Sequence, residues 1–215
     1  MTLSSHEALD RLAVTDMIVR ERAARDAGLW SDMGAFYHQD STVDISWFTG
    51  SGVQFTAATR EAAGGPLYTF HQMGASAVTV LRDRALVDSN CTVHAFTAVD
   101  GVDVDVVSYC RLQWRAQRDG AHWLIAGLRS IYIRDVLAAV NPQQVPELDL
   151  ALLAGFRPSY RHIAYLAEKS GSTVRDDLPG VDRPETVVAL RAGERMWLTQ
   201  ERIGAYDGEV YLPNP

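Results

Sequence analysis

The order of patterns along the chain constrains the fold most: three helical segments come first, and four long strand-like segments then follow one another. The strand-like segments lie at 70–81, 85–98, 103–117 and 122–134. Two of the short breaks between them contain Asp-Gly, the strongest short signal for a β-hairpin. Helices followed by an antiparallel meander predict an α+β fold and not alternating βαβ units. We expect the sheet to curl around the helices so that a core can close.

The helical segments lie in the N-terminal third. Apolar residues recur at helical spacing from Ser5 to Ala27, which predicts one long helix before Gly28. A short second helix is predicted to follow, with Ser31 as its N-cap. Alternating apolar and polar residues predict a half-buried strand over 42–48, and a third short helix is expected around 57–63.

The composition shifts after Asn141-Pro142. We therefore divide the chain into a domain at 1–142 and a C-terminal helical extension at 143–215. Within the extension, helix candidates lie near Leu148 and at 159–170 and 184–200. The extension is expected to pack either on the domain or on a neighbouring subunit.

Composition excludes several classes of function. The formal net charge is -7, the pI is about 5.3 and Lys169 is the only lysine, so nucleic-acid binding is not expected. No basic leader and no run of about 18 apolar residues appears, so the cytoplasm is expected and a membrane is not. Cys91 and Cys110 have no zinc spacing and are expected to be packed thiols. Phosphate-loop, nucleophile-elbow and zinc-protease motifs are missing, and we expect neither a metal nor an organic cofactor.

Strand parity suggests where a ligand site lies. Side chains alternate across a sheet, and directly opposed residues on neighbouring strands share a face. With two-residue turns between the strands, His71 and His94 fall on one face, and the same trace adds Tyr109, Tyr132 and Arg134. Aromatic and titratable groups together are typical of a ligand pocket. The other face of the third strand, over 104–114, is more apolar and is expected to pack or to contact a subunit. A β-bulge would invert part of the trace.

Each of these residues also has a structural alternative. A histidine within a strand is more often a hydrogen-bonded structural residue than a catalytic one, and Arg134 could be a solvated charge. The two tyrosines could be core aromatics with satisfied hydroxyls. Asp26 lies at the end of the first helix, where the helix dipole disfavours a carboxylate. Such an acid can simply end a helix, but its position calls for a reason.

Four segments together resemble a known family. They are Ala8–Arg20, Arg25–Met33, Phe70–Gly74 and Arg118–Trp123. Their order and spacing, over roughly residues 5–140, resemble the SnoaL-like branch of the NTF2-like superfamily. The resemblance implies a cone-shaped α+β barrel whose curved sheet wraps helices around a deep pocket. It also implies a homo-oligomer, which in this family is usually a dimer, trimer or tetramer, and we expect a dimer or trimer.

Within that branch, the chain is similar to the scytalone dehydratase, bile-acid 7α-dehydratase and hexachlorocyclohexane dehydrochlorinase groups. In these enzymes an Asp on the first helix orients a His on the sheet, and Asp26 and His71 occupy those positions. The resemblance also implies a pocket position for His94 and one near Arg134. Many relatives have Asn where this chain has Ala75, and Glu21 replaces a basic or phenolic residue.

These observations predict a cofactor-independent lyase of the dehydratase type. His71 would remove a proton, Asp26 would orient it, and His94, Tyr109, Tyr132 or Arg134 would assist the leaving group. Trp47 and the tyrosines favour a bulky apolar or ring-containing substrate. Two alternatives stay open: an isomerase or polyketide-type cyclase that uses the same dyad, and a non-catalytic module that binds a small ligand.

Overall fold

A computed structural model describes residues 4–199, and its mixed α+β architecture confirms the predicted fold class. Helices and strands follow the predicted order. The N-terminal helices are α1 (Ser5–Asp26), α2 (Trp30–Ala35) and α3 (Gly52–Ala62). The strands are β1 (Tyr37–Ile45), β2 (Phe48–Ser51), β3 (Tyr68–Leu81), β4 (Arg84–Val99), β5 (Val102–Asp119) and β6 (His122–Ala139).

The six strands form one curved sheet in the order β2-β1-β6-β5-β4-β3. Neighbouring strands are antiparallel except β1 and β6, which run parallel. Strands β2 and β3 form the two edges and do not pair with each other, so the sheet curls without closing into a barrel. The N-terminal helices fill the concave side, which we call the inner face.

The inner face and α1 share one hydrophobic core. Val14 and Ile18 of α1 are buried against a layer that includes Cys91, Cys110 and Trp114 from β4 and β5. Cys91 lies directly opposite Cys110, and both are buried free thiols, which confirms the predicted packing role. The apolar side of β5 is therefore the helix-covered side of the sheet.

Two local predictions in the N-terminal third are wrong. Helix α2 begins at Trp30 without a side-chain cap, so Ser31 is not its N-cap. A complete capping box occurs instead at Ser51, which starts α3 earlier than predicted. The strand predicted over 42–48 is also shorter at its C-terminal end, because the chain turns at Ser46-Trp47 and returns as β2.

The C-terminal helices are α4 (Leu150–Ala154), α5 (Arg161–Lys169) and α6 (Pro184–Thr199), with a 3-10 turn at Pro158–Tyr160. This extension packs on β6: the Tyr160 ring meets Tyr132 edge-on at 5.2 Å, and Asp135 accepts the Ile163 N–H at 2.8 Å. Residues 200–215, including the last residue of the predicted third helix candidate, lie outside the described part. The boundary after residue 142 stays a prediction. Among residues 4–199, no helix is long and apolar enough to cross a membrane.

Candidate active site

Asp26 and His71 form a directly hydrogen-bonded pair. Asp26 is the last residue of α1, and His71 lies on β3 beside it. The His71 Nδ1 atom is 2.9 Å from Asp26 Oδ1, and the His71 backbone N–H donates to Asp26 Oδ2 at 2.7 Å. The side chain of His71 is 7% exposed and that of Asp26 is 19% exposed. Two hydrogen bonds therefore hold the pair in a largely buried position. These bonds to His71 explain why a carboxylate stands at the C-terminal end of α1, where the helix dipole disfavours it.

The carboxylate fixes the tautomer of the imidazole. An ionised carboxylate can only accept, so Nδ1 carries the proton and Nε2 keeps its lone pair. Burial lowers the pKa of His71 to about 4, and the nearby charges of Arg25 and Arg22 act in the same direction against the hydrogen bond to Asp26. Burial would raise the pKa of the Asp26 carboxyl, but hydrogen bonds from His71 outweigh it and lower that pKa. At neutral pH the pair is a neutral imidazole on a carboxylate.

A second group of buried charges precedes the dyad on α1. Arg22 donates two hydrogen bonds to Glu21, and the Tyr37 hydroxyl donates to the same carboxylate at 2.8 Å. The Arg22 guanidinium also lies over the Trp114 ring at 5.2 Å. This group therefore balances its own charge inside the core.

Arg25 reaches the dyad itself. Its Nη1 donates to Asp26 Oδ1 at 3.1 Å and lies 3.3 Å from His71 Nδ1. Both terminal nitrogens also contact the Thr69 hydroxyl at 3.3 Å. The side chain is 9% exposed, so a buried positive charge adjoins the imidazole.

The prediction that His94 shares a face with His71 is wrong. The turn at Arg82-Asp83 has the expected two residues, but a β-bulge lies between Met73 and Ser76. Two residues of β3 there face one residue of β4, which shifts the register by one and exchanges the faces beyond it. His71 therefore pairs with Val93, and His94 lies on the outer face.

A second bulge explains the separation of Tyr132 from Arg134. Tyr109 pairs with Arg134, whereas the adjacent Cys110 pairs with Tyr132, so Ile133 is the extra residue of β6. Tyr132 is buried on the inner face with His71. Tyr109 and Arg134 lie outside, with the guanidinium over the ring at 5.7 Å. The prediction of one face for all three residues is therefore wrong for Tyr132, whereas Tyr109 and Arg134 do share a face.

The remaining predicted residues have local partners of their own. His94 Nδ1 is 2.7 Å from Asp105 Oδ2, and its ring stacks on Phe70 at 4.6 Å. The Tyr132 hydroxyl accepts the Ser46 N–H at 2.8 Å, and burial raises the pKa of Tyr132. Trp47 lies in the β1–β2 turn, is 45% exposed and is not on a strand as predicted.

Sequence reasoning missed Arg25 and the buried Glu21–Arg22 pair. A signal was present, because residues 14, 17, 18, 21 and 24 form the buried stripe of α1 and a Glu stands within it. A charge in an apolar stripe predicts a buried partner. The neighbours that provide those partners come from other elements and are not visible locally.

Two open surface grooves lie away from the dyad. One is lined by Asp10, Trp123 and neighbouring residues, and the other runs between α2 and α3. We place no chemistry in them: the His–Asp pair of the first groove, His6 and Asp10, is 3.6 Å apart, and the His6 side chain is 85% exposed. Within residues 4–199, no cluster of three His, Cys, Asp or Glu side chains could hold a metal ion.

A curved, unclosed sheet that wraps N-terminal helices defines the NTF2-like class of α+β proteins. The family model of the SnoaL-like domain matches residues 6–129, and the chain belongs to that family. This confirms the resemblance inferred from the sequence segments.

One relative matches a larger share of the chain than the two solved structures described below. Pea pathogenicity protein 2 of Fusarium vanettenii is 25% identical over 206 residues, which cover 91% of this chain and 88% of the relative. The match therefore reaches into the C-terminal extension.

Two solved structures share the fold. The hexachlorocyclohexane dehydrochlorinase of Novosphingobium barchaimii has a TM-score of 0.53 at 11% identity, and covers 66% of this chain and 95% of its own. A scytalone dehydratase-like protein of Novosphingobium aromaticivorans has a TM-score of 0.52 at 14% identity, with the same coverage.

Proposed function

We propose that this protein is a cofactor-independent lyase that uses His71 as a base and Asp26 as its orienting partner. The observation that carries the proposal is the hydrogen bond between His71 Nδ1 and Asp26 Oδ1 at 2.9 Å, which leaves Nε2 as the basic nitrogen. Burial keeps the imidazole neutral at pH 7, the state that a general base needs. Membership of the SnoaL-like family supports the proposal, because two structures with this fold carry the names of a dehydratase and a dehydrochlorinase.

The proposed reaction is an elimination. His71 Nε2 takes a proton from carbon, the C–H electron pair becomes a C=C bond, and the leaving group departs with its bonding pair. If the group is a hydroxyl, the imidazolium returns the proton to it and water is lost. If the group is a halide, the proton passes to solvent. The Asp26 carboxylate stabilises the imidazolium that exists between these steps.

Only one of the predicted helpers shares the inner face with His71. Tyr132 accepts a hydrogen bond from the Ser46 N–H, so that bond does not use its own O–H proton. His94, Tyr109 and Arg134 lie on the outer face, and we no longer assign them to the pocket. That the substrate is bulky and apolar or ring-containing stays a proposal from the aromatic residues of the sequence.

The experiment compares wild type, His71→Ala and Asp26→Asn on any substrate that the wild type turns over. We expect each variant to lose at least about 100-fold in kcat, which is the lower range for removing a general base. His38→Ala is a matched control, because within residues 4–199 that histidine is paired with nearby Asp40 and not with the dyad. Turnover within about tenfold of wild type in both dyad variants would refute the proposal. Product mass then separates elimination, which loses water or HX, from isomerisation or cyclisation, which loses nothing.

A further inference from the structure

Arg25 is a buried cation whose hydrogen-bonding capacity is not filled. A guanidinium has five N–H donors. Only the 3.1 Å bond to Asp26 Oδ1 has good length, since both contacts with Thr69 are at 3.3 Å, beyond the usual range. The Nε atom is buried and has no partner among the described residues. A buried donor without an acceptor is costly, so this arrangement favours an additional acceptor.

The carboxylates around Arg25 are already committed. Glu21 accepts two hydrogen bonds from Arg22 and one from Tyr37. Asp26 accepts the backbone N–H and the Nδ1–H of His71 in addition to its bond from Arg25. Each carboxylate therefore already accepts three hydrogen bonds, and neither of them accepts one from the buried Arg25 Nε atom.

The position of the guanidinium is informative. Arg25 Nη1 lies 3.3 Å from His71 Nδ1, and the Nδ1 proton is directed at the carboxylate. The guanidinium therefore adjoins the imidazole that removes the proton. A ligand oxygen bound to the free part of the guanidinium would therefore lie close to the dyad.

We propose that Arg25 binds an oxygen of the substrate that carries, or acquires, negative charge: a carboxylate oxygen, or a carbonyl oxygen that becomes an enolate. This inference rests on the proposed function, because that function places the substrate beside His71. As Nε2 takes the proton from the carbon next to the carbonyl, the C–H pair forms the enolate C=C bond and the C=O π pair moves to oxygen. Arg25 donates to that oxygen, and the enolate then collapses to re-form C=O and expel the leaving group.

The test uses benzoate and its neutral isostere benzamide as probes. Their binding to the whole protein is followed at pH 7 through the ring resonances of His71. We expect the wild type to bind benzoate at least about tenfold more tightly than benzamide, since hydrogen bonds between charged groups are the strong ones. Arg25→Gln should reduce benzoate affinity by at least about tenfold and abolish the preference.

Arg20→Gln is the matched control, because it makes the same change on the same helix in an exposed pair with Asp16. It should keep the wild-type preference. Arg25→Lys keeps the charge but loses the fork of donors, and about a tenfold loss is expected here too. If Arg25→Gln does not fold, as judged by circular dichroism, the Lys variant decides.

Equal affinity of the wild type for both probes, no benzoate binding at its solubility limit, or unchanged benzoate binding in the deciding variant would overturn the inference. The two proposals fail separately. If turnover survives in His71→Ala while benzoate binding still requires Arg25, the lyase assignment fails and the anion site stands. If the dyad variants are inactive and Arg25→Gln binds benzoate normally, the lyase assignment stands and the anion site at Arg25 fails.

Discussion

Lowering the pH should destabilise the folded protein through His71. In the folded state burial holds the pKa of this side chain at about 4, whereas its ordinary value is 6.5. As the pH falls below neutrality, the unfolded chain takes up a proton that the folded chain does not, so protonation favours unfolding. The stability that the neutral His71 contributes is fully present above its ordinary pKa of 6.5. It is lost as the pH falls toward the folded-state pKa of about 4.

The size of the effect follows from the two pKa values. The whole shift corresponds to about 3 kcal/mol, of which about 2 kcal/mol is lost between pH 7 and pH 5. The lowered pKa of the Asp26 carboxyl adds its own loss only at lower pH, because a carboxyl begins to protonate near its ordinary value in the unfolded chain. The interval from pH 7 to pH 5 therefore isolates the histidine.

The assay is urea unfolding of the wild type and His71→Asn at both pH values, with linear extrapolation to water. The Asn amide can donate to Asp26 in place of Nδ1–H, but it does not titrate. Between pH 7 and pH 5, the free energy of unfolding of the wild type should fall by about 2 kcal/mol more than that of the variant. Equal losses would refute the buried neutral imidazole. A smaller loss in the wild type would mean that the folded-state pKa is raised, as in a charged ion pair.

Three further predictions concern the dyad and its surroundings. Asp26→Asn should raise the proportion of the wrong His71 tautomer and reduce kcat by at least about 100-fold, measured with substrate in excess. Ser51→Ala removes the capping box of α3 and should reduce the free energy of unfolding by about 1 kcal/mol, whereas Ser31→Ala should change it by less than about 0.5 kcal/mol. Asp182→Asn weakens the bidentate contact with Arg157, so limited proteolysis should cut the extension faster than in wild type; equal rates would contradict this role.

The sequence predicts the fold to within a few residues where the signals are local. Asp100-Gly101 and Asp119-Gly120 mark the two hairpins, and their glycines have the positive φ that such turns require. The periodicity predicts a helix from Ser5 to Ala27, and α1 ends one residue earlier, at Asp26. Such signals depend on neighbouring residues, so no knowledge of the packed structure is needed.

The composition of each sheet face could not be predicted, because it depends on bulges. One extra residue exchanges every side chain beyond it. A Cβ at Gly74 would lie 3.1 Å from the Asn90 Cβ on β4. The reason for glycine at this bulge is therefore a contact with the neighbouring strand, which the local sequence does not show. Ile133 carries no local signal that sets it apart from other strand residues. His94 was therefore assigned to the wrong face, although His71 was correctly paired with Asp26.

The buried charges of α1 depend on tertiary contacts in the same way. Arg25 follows a helical pattern like any exposed arginine, and only the approach of Thr69 and His71 from β3 encloses it. The extension is similar, since Tyr160 and Leu178 belong to the same core as Tyr132 of β6. Local patterns identify elements, and contacts between elements define the site.

The central claim is that His71 is a neutral base held in one tautomer by Asp26. Nitrogen-15 NMR of the imidazole at pH 7 tests it most directly. The account predicts a protonated Nδ1 and an unprotonated Nε2, and this preference should weaken in Asp26→Asn. Protonation of both nitrogens at pH 7, or a proton on Nε2 alone, would contradict it.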